Sequence, residues 1–510
     1  MLKKIRVILA ALCFIAITLL FLDFTGTLHG WLGWLAKIQF LPAILALNVA
    51  VIVGLLVLTI LFGRVYCSVI CPLGVFQDVV ANISRKGKKG KYSYSKEIKW
   101  LRYGVWVLFV IALVAGVNAL VALLAPYSAW GRIVNNLLAP VYQWGNNLLA
   151  YFAERKGSYA FYTKEVWLKS LPVFIVAVVT LVALVILAWK NGRTYCNTIC
   201  PVGTTLSFFS RFAMFRPVID SEKCKGCHVC EKHCKAACID SSNRKIDYSR
   251  CVDCFNCIDS CKSGAIKYRF AWSRPKAVAE AAEEKPADNG RRAFLIGSAV
   301  AVTGLSLKAQ ELTEAADTTI FEKENEGGFA TIFPKISPRR EKPLTPFGSE
   351  SLKRFKQHCT ACQLCVSVCP NNVLRPSDDP ARFMQPEMSF ERGYCRPECV
   401  KCSEVCPTGA ILKITPEEKT TWKVGTAAVD YELCIVANGE VEECGNCARH
   451  CPVGAIKMVR KDPDEVSEHP ARIPTVNEAK CIGCGACENL CPARPVSAIK
   501  VNGCEVHHTV

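Results

Sequence analysis

The residues of this chain that could do chemistry are above all its 31 cysteines. Between residues 224 and 261 the spacing C-x2-C-x2-C-x3-C occurs twice, at Cys224, Cys227, Cys230, Cys234 and at Cys251, Cys254, Cys257, Cys261. That spacing suits 4Fe-4S clusters, because three thiolates on a tight loop wrap three irons of a cubane while the fourth reaches the neighbouring cluster. The expected ligand sets are therefore crossed: Cys224, Cys227, Cys230 and Cys261 for one cluster, Cys251, Cys254, Cys257 and Cys234 for the other. CKGCH at 224–228 formally matches a haem attachment signal, but Cys230 and Cys234 continue a pattern that haem does not need. Zinc sites use C-x2-C too, yet seldom a third and fourth cysteine at these gaps. Cys238 is surplus and reads as a small buried residue.

Four further runs follow: Cys359, Cys362, Cys365, Cys369; Cys395, Cys399, Cys402, Cys406; Cys434, Cys444, Cys447, Cys451; and Cys481, Cys484, Cys487, Cys491. The second widens the first gap to three residues and the third widens it to nine. Each ends in Cys-Pro, at Pro370, Pro407, Pro452 and Pro492. Sixteen thiols predict four more cubanes, six in all, and the repeated spacing argues against disulfides. We expect a nested exchange of fourth cysteines, first run with fourth and second with third. Lobes this small have little core, so cluster binding must supply much of their folding free energy.

A second set of thiols is duplicated differently. GRVYCSVICPLG begins at residue 63 and GRTYCNTICPVG at residue 192. On a helix, C-x3-C puts two thiols on one face, and Pro72 and Pro201 mark where the chain turns away. Cys67, Cys71, Cys196 and Cys200, with Arg64 and Arg193, are candidates for an additional metal or cluster site or for a thiol site acting on quinone. The bland alternative is a pair of capping turns, which a duplicated pattern in duplicated positions disfavours.

The elements that position these residues follow from composition. Hydrophobicity is concentrated in the first 190 residues, and of the net charge of +18 almost none lies after residue 330, where about 23 basic residues face about 22 acidic ones. That is a membrane protein with basic inner loops, and it sets nucleic acid aside. The N-terminal run after MLKKIR lacks a small-residue cleavage site, so it reads as a retained helix rather than a signal peptide. Runs at about 38–62, 103–125 and 171–189 are each long enough for a ~30 Å hydrocarbon core. The expected fold is multidomain: a transmembrane module of four helices, or five if a later segment also spans, joined to α+β 4Fe-4S modules of the bacterial ferredoxin type. The basic loop 64–102 places both ends of the helical unit in the cytoplasm. Trp31, Trp34, Trp100, Trp167 and Trp189 sit near helix ends as interfacial aromatics do. No histidine falls in the spans, which disfavours haem held between helices.

The expected organisation is 1–205 transmembrane, 215–270 a two-cluster module, 271–290 a linker, 291–309 an apolar segment, 310–350 a linker and 351–510 a four-cluster domain. Arg291 and Arg292, followed by Phe294, Leu295 and an apolar run, match the core of a twin-arginine export signal inside the chain. Export would carry the last domain across the membrane already folded, with a possible cut near Ala315 and Ala316 left open by the sequence.

Residues 1 to about 270 resemble the NapH-type membrane ferredoxin of periplasmic nitrate reduction. Residues from about 290 resemble its NapG-type partner and the ferredoxin of methylamine utilisation. The resemblance implies that Cys67, Cys71, Cys196 and Cys200 belong to a quinol-oxidising module and that the C-terminal clusters feed an exported reductase. The chain departs from the pattern at Cys234 and Cys261, where Cys-Lys replaces Cys-Pro. No nucleotide fingerprint, flavin site or serine or histidine catalytic arrangement is present, so we expect an electron-transfer subunit whose partners are lipid, quinol and a redox protein. Two rival readings are a redox-sensing or assembly ferredoxin, resembling the cytochrome oxidase maturation ferredoxins in its first half, and electron flow in the opposite direction, from ferredoxin to quinone.

Overall fold

The computed structural model describes residues 1–85, 92–271, 334–461 and 471–509. The twin-arginine segment, both linkers up to residue 333, Ala315 and Ala316, and Lys86, Lys88, Lys89 and Lys91 lie outside the described residues.

Two helices, Leu2–Leu22 and Leu171–Asn191, are long and apolar enough to cross a membrane, and Val49–Phe62 is apolar but shorter. The other two expected spans are interrupted. Leu47 takes a left-handed conformation (φ 52°), and Asn48 caps a new helix by accepting from Val51 N at 3.3 Å. The first run therefore splits into Phe40–Leu45 and Val49–Phe62. Gly116 (φ 74°) likewise ends Lys99–Ala115, and Val117 N turns back onto Ala112 O at 2.8 Å before Asn118–Leu124 begins. Both interruptions face the C-terminal domain. His358 Nδ1 donates to Leu45 O at 3.0 Å, and Asn118 Nδ2 donates to Lys356 O. At the first break the C-terminal domain satisfies a freed helix carbonyl, and at the second a side-chain amide of the bundle satisfies a carbonyl of that domain.

A small module covers residues 215–271. Its outer strands, Phe215–Ile219 and Ile266–Phe270, pair antiparallel, and an inner hairpin pairs Ile239–Asp240 with Lys245–Ile246. The same plan recurs around the last two cysteine runs, with Trp422–Val429 against Ile499–Thr509 outside and Ile456–Arg460 against Arg472–Val476 inside. Around Cys359–Cys406 an inner hairpin is present, but the outer closure is a single backbone bond, Leu412 N to Gly348 O at 2.9 Å. In five runs the residue after the second cysteine is left-handed, at His228, Phe255, Gln363, Gly445 and Gly485, and starts a short helix that carries the third cysteine. The turn that spaces the thiols is thus made by the backbone.

The small module and the C-terminal domain occupy opposite ends of the long helices. At the start of Leu2–Leu22, Lys3 pairs with Asp259 of the small module at 2.7 Å. Just beyond its far end, Lys401 Nζ of the C-terminal domain donates to Thr25 O at 2.8 Å. Twenty-one residues of helix separate the two contacts by about 31 Å. The second long helix repeats the arrangement, with Ser170 hydroxyl bonded to Asp378 before it and Arg193 N donating to Lys235 O at 2.9 Å after it. Between them, Ile8, Leu12 and Ile15 on one helix and Val179, Val182 and Ile186 on the other point outward and are half exposed. Inside, the Pro126–Ile133 helix is buried along its whole length, with Trp130 held between Phe14 and Phe76.

Gly192 has φ +70°, and a Cβ there would stand 2.5 Å from Lys235 O. Gly192→Ala should cost about 1–3 kcal/mol and loosen the small module. Amide exchange is expected to rise across 224–261 and to stay unchanged across 359–406; equal protection in both would show that Gly192 does not hold the dock.

Candidate functional site

The two GR-x-Y-C turns meet in a pseudo-symmetric ring. Cys67, Cys71, Cys196 and Cys200 are each 4% exposed, and Arg64 and Arg193 are 0% exposed. Each arginine reaches across to the other repeat. Arg64 Nη2 donates to Cys196 O at 3.0 Å, and Arg193 Nη1 donates to Cys67 O at 2.6 Å. Gly74 and Gly203, one after each Cys-Pro turn, lie against those same carbonyls with no room for a Cβ. Donors also address the sulfurs: Gln77 Nε2 to Cys196 Sγ at 3.3 Å and Gly203 N to Cys200 Sγ at 3.4 Å. The six residues singled out in the sequence are thus brought together. The arginines tie the repeats to one another, however, and being shielded from the surface they do not offer a quinone a binding face.

Five of the six ferredoxin-type cysteine sets ring cavities of between about 300 and 410 Å³, mouths included. In the small module one cavity is lined by Cys224, Cys227, Cys230 and Cys261 and the other by Cys234, Cys251, Cys254 and Cys257. Cys238 shares the second cavity, 1% exposed, with its sulfur 3.5 Å from that of Cys234. In the C-terminal domain Cys369 joins Cys395, Cys399 and Cys402, Cys491 joins Cys434, Cys444 and Cys447, and Cys451 joins Cys481, Cys484 and Cys487. Cys406 lies close enough to Cys359, Cys362 and Cys365 for their charges to interact. The expected nested exchange is therefore corrected. Runs pair consecutively, first with second and third with fourth, because each inner hairpin joins adjacent runs and swings the fourth thiol of one loop to the next.

The donor sets fit iron-sulfur cubanes. Among the described residues no three His, Cys, Asp or Glu side chains converge tightly enough for one ion; the thiols stand back around their cavities. Left-handed residues occur on both sides of the second cysteine in several runs, at Gly226 and His228, Asp253 and Phe255, Ala361 and Gln363, Gly483 and Gly485. Such alternation aims successive amides into a concavity that favours an anion. Amides also reach sulfurs directly, as Ala455 N does to Cys451 Sγ at 3.2 Å and Ala427 N to Cys481 Sγ at 3.4 Å. Bound clusters would supply reversible one-electron chemistry, and these residues would hold them and set their potentials through burial and N–H···S bonds.

Sequence reasoning missed the residues that join the small module to the ring. Asp78, 4% exposed, receives Arg193 at 2.8 Å, Arg6 at 2.7 Å and Lys235 at 3.4 Å. Burial alone would raise its pKa; Arg193, Lys235 and Arg6 outweigh that and hold the carboxyl well below the usual range. Lys235 is the residue that replaces proline after Cys234, so the departure from Cys-Pro is the docking contact itself. Asp253, between two cluster cysteines, accepts from Arg64 N at 3.0 Å and fills the space beside Gly63, where φ is +73°. The visible signal was Cys-Lys, shared with Cys261, in a chain whose four C-terminal runs all end in Cys-Pro.

Two outcomes test this geometry. Asp78→Asn leaves Arg193 and Lys235 buried without their carboxylate, and should cost about 3–5 kcal/mol. In the native protein that contribution is present above the unfolded carboxylate range and is lost only as pH falls towards the depressed folded pKa; a variant as stable as wild type at pH 7 would contradict it. Cys406→Ser should alter the electron paramagnetic resonance signal of the cluster at Cys359, Cys362 and Cys365 and spare that at Cys395, Cys399 and Cys402, which the nested pairing does not predict.

A family model described as a 4Fe-4S binding domain matches residues 44–91 and 173–218, each stretch containing one C-x3-C pair of the ring. A second, described as a 4Fe-4S dicluster domain, matches 358–410 and 442–494, in agreement with consecutive pairing. The ferredoxin-type protein MauM of methylamine utilization from Paracoccus denitrificans is 30% identical over 170 residues, 32% of this chain and 75% of the relative. An uncharacterized protein of Methanocaldococcus jannaschii is 25% identical over 250 residues, 48% of this chain and 79% of that protein. The ferredoxin-type protein NapG of Haemophilus influenzae is 28% identical over 160 residues, 31% of this chain, which spans 57% of that relative. No solved structure matches. With its cysteine cavities, amide concavities and these likenesses taken together, the chain belongs to the ferredoxin-type family of MauM, whose shared trait here is 4Fe-4S electron transfer.

Proposed function

We propose that this protein is a membrane-spanning electron carrier that links the quinol pool to a reductase on the outer face, with six clusters in its two ferredoxin modules. The observation that carries the reading is that both long apolar helices end on the small module at one end and on the C-terminal domain at the other. Their outward apolar side chains match a ~30 Å hydrocarbon core better than water. Tryptophans fall at both rims, with Trp100 and Trp189 towards the small module and Trp31 and Trp34 towards the C-terminal domain, all exposed. In this reading Lys99–Ala115 and Val49–Phe62 complete a four-helix unit whose interrupted ends are covered by the C-terminal domain. The basic loop 64–102, whose residues Tyr92, Tyr94 and Ser95 bond the small module, favours a cytoplasmic position for that side.

The C-terminal domain then faces the periplasm. The sequence between the two modules carries the twin-arginine pattern followed by an apolar run, which favours export of the domain after it. The printed names of the relatives, ferredoxin-type proteins MauM of methylamine utilization and NapG, favour an electron carrier, and with the proposed topology its partner is an exported redox enzyme. Electron flow from a cytoplasmic donor to quinone uses the same parts in reverse, and cluster potentials measured against the pool decide the direction. A sensor or assembly role is disfavoured by the run of cavities in the C-terminal domain, which suits conduction.

A C-terminal epitope tested by protease in intact spheroplasts checks the topology. Digestion without lysis is expected; protection until lysis would put the C-terminal domain in the cytoplasm and remove the exported partner.

A further inference from the structure

We infer that the ring of Cys67, Cys71, Cys196 and Cys200 is a seventh iron-sulfur site and that it wires the small module to the C-terminal domain through the helix bundle. The inference rests on the proposal that the bundle spans a membrane, and goes beyond it by replacing diffusing quinone with a fixed path between the faces.

Charge is the first argument. Arg6, Arg64, Arg193 and Lys235 are buried around the ring, from 0% to 6% exposed. The carboxylates facing them are Asp78, which three of them share, and Asp253, which meets Arg64 through its backbone N–H. Buried Arg64 Nε and Arg193 Nη2 have no acceptor. Unbalanced buried cations are costly, and these surround four thiols that sulfur-directed donors already address. An anionic thiolate-bound cluster satisfies both the charge and the donors. A neutral quinone satisfies neither.

Continuity is the second. On one side Lys235 follows the cluster cysteine Cys234 directly, and Cys254 of the same set is close enough to Lys235 and Asp78 for their charges to interact. On the other, Tyr66 is in electrostatic reach of Cys67, Cys71 and Cys200, and Tyr127 of Tyr66, Cys362 and Cys406. Tyr66, Tyr127, the ring cysteines Cys67, Cys71 and Cys200, and Cys362 belong to one continuous buried core. That core takes in the buried Pro126–Ile133 helix, where Gly131 lies against Cys362 O with no room for a Cβ. Asn135 Nδ2 donates to Gln363 O at 2.9 Å and Asn136 Nδ2 to Gln363 Oε1 at 3.1 Å, fixing that loop in the bundle. Each step is a one-electron hop in which one centre is oxidised as the next is reduced, with no bond or proton moved.

The test uses the full, cluster-loaded chain in quinone-free liposomes with ferricyanide trapped inside and dithionite added outside. Bleaching of the trapped ferricyanide is expected for wild type. Cys71→Ser/Cys200→Ser should lose one cluster's iron and acid-labile sulfide, and lose the bleaching while the other clusters still reduce from their own side. Unchanged iron and sulfide in that variant, or bleaching that needs added quinone, would overturn the inference. Should the double variant fail to insert, Gln77→Leu removes a donor from Cys196 Sγ and should keep all the iron while lowering the potential of one paramagnetic signal; unchanged potentials throughout would overturn it. Epitope digestion reports topology without reference to the ring, so correct topology with no bleaching sinks the wire and leaves the exported domain standing.

Discussion

Buried positive charge is the constraint on which the rest of this architecture depends. Arg64 and Arg193, fully shielded, cross between the two C-x3-C turns and bond the carbonyls of Cys196 and Cys67. Neither could stand alone in a low-dielectric interior. Asp78 offsets part of the charge, Lys235 from the small module adds to it, and the four thiols supply the place where the remainder can be balanced. The same side chains thus close the helical repeats on each other and seat a ferredoxin module on them.

The second dock uses different chemistry. Where the small module is held by charge, the C-terminal domain is held by amides and by interrupted helices. Asn118, Asn135 and Asn136 donate to the backbone or side chain of Lys356 and Gln363, and the breaks at Leu47 and Gly116 expose the groups that meet it. Ionic contacts such as Arg392 with Glu165 at 3.3 Å lie at the exposed rim, where they contribute little. A neutral interface is the cheaper solution within an apolar bundle, because an amide needs only one partner and a charge needs several.

Much of the site was legible in the sequence, and the reason is local. A thiol spacing of two residues encodes its own turn, so the cysteine loops, their crossed sets in the small module and the duplicated C-x3-C turns could be read directly. Pairing among the last four runs could not, because it depends on which hairpins form; Leu374–Pro376 with Pro386–Met388 joins the first run to the second, against a nested expectation. Hydropathy marked the runs 38–62 and 103–125 but not their interruption, since Leu45 and Asn118, beside the two breaks, meet residues more than two hundred positions away. Asp78 was invisible for the same reason: its three cations come from residues 6, 193 and 235. Only the lysine after Cys234, in place of proline, betrayed that dock.

The most direct test of this arrangement is a cryo-electron microscopy map of the cluster-loaded protein in a lipid nanodisc. The account predicts a lipid belt around Leu2–Leu22 and Leu171–Asn191, the small module and C-terminal domain on opposite sides of it, and strong iron-sulfur density inside the ring of Cys67, Cys71, Cys196 and Cys200. Both modules on one side of the belt, or a ring holding no such density, would contradict it.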